Sequence, residues 1–240
     1  MAEPAPLDKI PEHLRESASR YAARMRELGG GRILSLVLYG RGLDPLDSAS
    51  GPVPSVVVLD RVDLLVLRRI AENGPALARL NVAAPVVMTP SFIEASRDTF
   101  PLELLEIHQH HALLLGTDYF AALEIADLHV RLQCERELKT LLVGMHQRLL
   151  ASGGSESLLG AASAEIGETL LRVLRGLAWL GDLREPQRMM RLLAEAEQLV
   201  GRELPGVYAA FDQSDTAGWN KFTQLYDDVQ ALGRYVDALH

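Results

Sequence analysis

Apolar and polar residues alternate along the chain in two successive regimes. Ile10, Leu14, Tyr21, Met25 and Leu28 recur at helical spacing and predict a helix over residues 8–28, stopped by Gly29, Gly30 and Gly31. Residues 32–39 then form a continuous β-branched and leucine-rich run, the length of a buried strand, which ends at the turn Gly40-Arg41-Gly42. Residues 43–54 carry Pro45, Gly51, Pro52 and Pro54 and read as a loop. A second strand follows over 55–59. Asp60 or Asp63 can cap the next helix, whose apolar positions include Leu64, Leu65, Leu67 and Ile70; Gly74-Pro75 interrupts it. Residues 84–88 read as a third strand, and Thr89-Pro90 opens a short helix through Ile93. A helix over 100–107 and a further strand over 111–115, ended by Gly116, complete this regime.

Beyond Tyr119 the strand signals cease. Leu128, Leu132, Leu138, Leu141, Leu142, Met145 and Leu149 mark one long helix over 125–150, with Glu135 and Lys139 at the favourable i,i+4 spacing. Helical patterns continue over 158–180, 186–200 and 217–239, with Gly181 and Gly201 as stops. The predicted fold class is therefore an α/β N-terminal domain, a small mixed sheet with flanking helices, followed by an all-α helical bundle. The boundary falls near Gly116-Thr117-Asp118, giving domains 1–118 and 119–240.

Charge narrows the partners. The formal net charge of -8 and the absence of any long basic run argue against a nucleic-acid ligand and against attraction to an anionic membrane. The N-terminal residues lack the basic and apolar regions of a signal peptide, and the apolar runs are strand-sized, so the expected location is the cytoplasm. Cys134 is the only cysteine, which excludes an intramolecular disulfide and a thiolate metal cluster and leaves it as a packing thiol.

The apolar strand running into Gly40-Arg41-Gly42, with a helix before it and a second strand after a loop, resembles the opening of the nucleotidyltransferase superfamily. The resemblance implies a turn whose backbone N–H groups cradle nucleotide phosphates, and an aspartate pair ahead of the second strand that holds magnesium. Gly40 matches that pattern, but the serine position is Arg41 and the aspartate positions read Pro52-Val53-Pro54. The third strand carries no acid. Asp44 and Asp47 lie in the intervening loop, and Asp60 and Asp63 at the far end of the second strand. Three further stretches, residues 100–106, 111–118 and 128–138, are similar to bacterial nucleotidyltransferase-like proteins in which a helical domain follows a degenerate catalytic domain.

The resemblance with its missing acids implies a catalytically silent nucleotidyltransferase-fold protein, retained to bind a protein or small-molecule ligand. Its vestigial nucleotide-binding residues are Gly40, Arg41 and Gly42, with no catalytic residue, no metal and no cofactor. The alternative is an active or residual enzyme that uses magnesium and a nucleoside triphosphate through unorthodox ligands, with Asp44, Asp47 or the histidines as candidates. Arg41 offers a guanidinium that can meet a phosphate directly, or is a solvated turn residue.

Other polar groups admit two readings each. His108, His110 and His111 place two rings on one face whether their segment is strand or helix, and Glu103 and Glu106 would complete a metal site; the plainer reading is a set of surface residues. Arg131, Glu135 and Glu137, with His129, line a pocket, or Arg131 and Glu135 form an i,i+4 pair or an inter-domain salt bridge. Trp179 and Trp219 suit helix packing. A leucine-rich bundle also suits a homodimer through the helical domain.

Overall fold

The computed structural model describes residues 5, 9–43, 51–185, 188–211 and 218–239, with the backbone alone at Arg41, Ala164 and Glu168. The chain divides into two compact units, one comprising Met1–Asp98 and Leu104–Glu124, the other Thr99–Glu103 and Ile125–His240.

The first unit begins with α1 (Glu12–Gly29), which buries Leu14, Ala18, Tyr21, Ala22, Met25 and Leu28 along one stripe. After a 3-10 turn the chain enters β1 (Ile33–Tyr39) and returns as β2 (Ser55–Leu59). Asp63 accepts a hydrogen bond from the Leu65 N–H at 2.9 Å and so caps α2 (Leu64–Glu72). Helix α3 (Gly74–Ala78) carries Pro75 in its first turn. Then come β3 (Val86–Met88), α4 (Pro90–Ala95) with Thr89 as its cap, α5 (Pro101–Gln109) and β4 (His111–Gly116).

The sheet is mixed and has the order β3-β2-β1-β4. Strand β1 pairs antiparallel with β2 and with β4, and β2 pairs parallel with β3, the crossover running through α2 and α3. Val56, Val57, Val58 and Leu59 are all fully buried, so β2 is shielded on both faces, which explains its unbroken apolar run. On one face, Leu36, Leu38, Val57 and Leu59 join Tyr21, Met25, Val66 and Ile70 in a single core. The Tyr21 hydroxyl meets Ser55 Oγ there at 2.9 Å, and burial pushes the phenol up to about 12.

The second unit is helical: α6 (Asp127–Ala151), α7 (Glu156–Leu180), α8 (Met189–Val200), α9 (Pro205–Phe211) and α10 (Gly218–Ala238). Helix α10 packs against each of the other four, and Gly206 lets α9 approach it closely: a Cβ there would stand 2.2 Å from the Leu225 backbone nitrogen. Asp228 of α10 is fully buried and accepts from the Gly206 and Val207 N–H groups and from Arg202, fixing the start of α9.

The structure departs from the sequence pattern at α6 and at Trp219. Leu128 and Leu132 are exposed; the buried stripe of α6 is Val130, Gln133, Cys134, Leu138, Leu141 and Met145. Gln133 can be buried because its side-chain oxygen accepts from the Leu102 N–H and its amide donates to Glu103, both at 2.8 Å. Trp219 does not pack inside the bundle; it stands half exposed in the first turn of α10.

Candidate functional site

Strand β1 ends because Gly40 takes φ +85°, a left-handed conformation open to glycine at little cost. The Leu43 N–H donates to the Gly40 carbonyl at 3.1 Å, closing the turn. The Gly40 N–H donates to the His110 carbonyl at 2.8 Å and the Tyr39 N–H to the Pro54 carbonyl at 3.0 Å. The Gly40 amide, one of the groups expected to cradle phosphate, is therefore turned toward the segment leading into β4.

The approach to β2 is extended. Val53 donates to the Asn81 carbonyl at 2.8 Å, accepts from the Ala83 N–H at 2.9 Å, and is buried. Alternation along an extended chain then sends Pro52 and Pro54 to the opposite face. Val53 and Pro54 both meet the turn: Pro54 Cγ lies 3.7 Å from the point a Cβ on Gly40 would occupy, and Val53 Cγ2 3.2 Å from the corresponding point on Gly42. Oε1 of Glu106 from α5 stands 3.8 Å from the Gly40 point. Position 54 thus faces the turn, and it carries a pyrrolidine ring. The carboxylate beside Gly40 comes from α5, a residue the sequence reading grouped with the histidines. Its only sequence signal is that it lies four residues before His110, whose carbonyl holds Gly40.

The remaining acids lie elsewhere. Asp44 and Asp47 fall outside the described residues. Asp60 pairs with Arg32 at 3.3 Å beyond the far end of β2, and Asp63 caps α2. The Leu65 N–H is the main cause that holds the Asp63 carboxyl below its ordinary range.

The histidines are split between two elements: His108 belongs to the last turn of α5 and His111 opens β4. His108 Nδ1 bonds the Phe120 carbonyl at 2.8 Å. His111 Nδ1 faces the Ile107 carbonyl at 2.8 Å, and its Nε2 faces the Asp118 carboxylate at 3.0 Å, so both ring nitrogens are engaged. Burial works to raise the Asp118 pKa, but the bonds from His111, Phe120 and Ala121 outweigh it and the carboxyl is held below its ordinary range. Glu103 bonds Gln133 and Arg172 instead of a histidine. Among the described residues no group of three or more His, Cys, Asp or Glu side chains is arranged to hold a metal ion.

Arg131 and Glu135 form the i,i+4 ion pair at 3.1 Å, and Lys139 joins Glu135 and Asp237. Trp179 donates to Asp127 at 2.9 Å while the Arg184 guanidinium lies 4.3 Å above its ring, an arrangement that closes the indole to a ligand. Cys134 is buried, and burial pushes its thiol up to about 12. Among the described residues no helix is long and apolar enough to cross a membrane.

Compared with protein-family models and with curated proteins, the chain matches none.

Proposed function

We propose that the chain is a nucleotidyltransferase-fold protein that performs no nucleotidyl transfer and is retained to bind a small-molecule or protein ligand. The observation that carries this reading is the Pro54 ring facing Gly40, with a second proline, Pro52, at the other position where the resemblance expects an acid. A proline offers no carboxylate, and two-metal transfer depends on carboxylates that hold magnesium against both the attacking and the leaving oxygen. The vestigial binding residues are Gly40, Arg41 and Gly42. The net charge of -8 supports a partner other than nucleic acid or an anionic membrane, and a cytoplasmic setting is consistent with it. A partner protein, a second copy of the helical unit included, is the other class of ligand; on α6 the exposed Leu128, Leu132, Val143 and Leu150 alternate with Glu135, Lys139 and His146.

Thermal-shift measurements against nucleotides, with and without magnesium, test the reading. A ligand at a hundredfold its Kd stabilises the folded state by about 2.7 kcal/mol. The reading expects any nucleotide shift to be the same with and without magnesium. A shift that requires the metal would contradict it.

One observation favours a second reading. Glu106 puts a carboxylate against the turn, and Asp44 and Asp47 follow the turn in sequence, so an enzyme with unorthodox metal ligands would draw on these three. Magnesium-dependent ATP binding that is lost in Asp47→Ala and in Glu106→Gln would support that enzyme over the silent form.

A further inference from the structure

We draw no further inference here: the strongest candidate, the exposed apolar patch of Val62, Leu64 and Leu65 at the start of α2, is an unpartnered helix end, and nothing in the structure shows what covers it.

Discussion

Pro54 and Gly40 face each other across the turn that closes β1, with the proline ring 3.7 Å from where a glycine side chain would begin. The contact is ordinary van der Waals packing, so an added methyl group would fit. The backbone is what resists: at φ +85° an L-residue carries a strain of about 1–2 kcal/mol. Gly40→Ala should therefore lower the stability of the first unit by about 1 kcal/mol, read as a shift of the urea midpoint without a change in slope. An unchanged midpoint would mean that the turn does not require the left-handed conformation.

Gly206 is constrained for a different reason. A Cβ there would stand 2.2 Å from the Leu225 nitrogen and 2.3 Å from the Gln224 carbonyl carbon, both backbone atoms that no rotamer change can move. Gly206→Ala must push α9 off α10 and strain the Asp228 bonds to the Gly206 and Val207 N–H groups. A loss of about 3 kcal/mol or more in the helical unit follows from overpacking together with weakened buried hydrogen bonds. Chemical denaturation followed by the near-ultraviolet signal of Trp179 and Trp219 measures it, and a loss under about 1 kcal/mol would show that the two helices separate easily.

Asp118 sets a pH dependence whose sign can be worked out. Its folded pKa is held down by His111 and two backbone N–H groups against the opposing effect of burial. A carboxyl depressed in the fold contributes stability above its unfolded value, about 3.9, and loses it as the pH falls through the folded value. Asp118→Asn should thus destabilise at neutral pH, and the gap between the two proteins should close as the pH is lowered below about 3.9. Urea midpoints at a series of pH values check this; a gap that widens in acid would contradict the assignment.

Cys134 should be inert while the protein is folded. Its thiol is buried between α6 and α7, and its pKa of about 12 leaves roughly a thousandfold less thiolate at neutral pH than an ordinary thiol has. Alkylation by iodoacetamide should therefore proceed only as fast as the helical unit opens, and rapidly in denaturant. Labelling of the native protein at the rate of a solvent thiol would overturn its role as a packing group.

Much of the fold is legible because local rules and tertiary packing agree. Ser55–Leu59 is a strand by its run of valines and by its burial on both faces, and Asp63 and Thr89 cap the helices that follow them. In α6 leucine content is a weaker guide than phase. Leu128 and Leu132 are apolar but point outward, while the polar Gln133 is inside because Leu102 and Glu103 satisfy it from a distant stretch of chain. Helix α9 escapes for a similar reason: its first N–H groups find their acceptor in Asp228, more than twenty residues away. At the site, the prolines are plain in the sequence. The approach of Glu106 to Gly40 is not, because it depends on where α5 ends against the sheet.

The central claim is that a turn at Gly40 faced by Pro54, with prolines at both positions 52 and 54, cannot drive nucleotidyl transfer. The most direct measurement is incubation of the purified protein with α-phosphate-labelled nucleoside triphosphates and magnesium or manganese, followed by detection of label on the protein or on added acceptors. The account predicts no label above that of a protein-free control with any of the four nucleotides. Metal-dependent incorporation that disappears on Glu106→Gln or Asp47→Ala would contradict it.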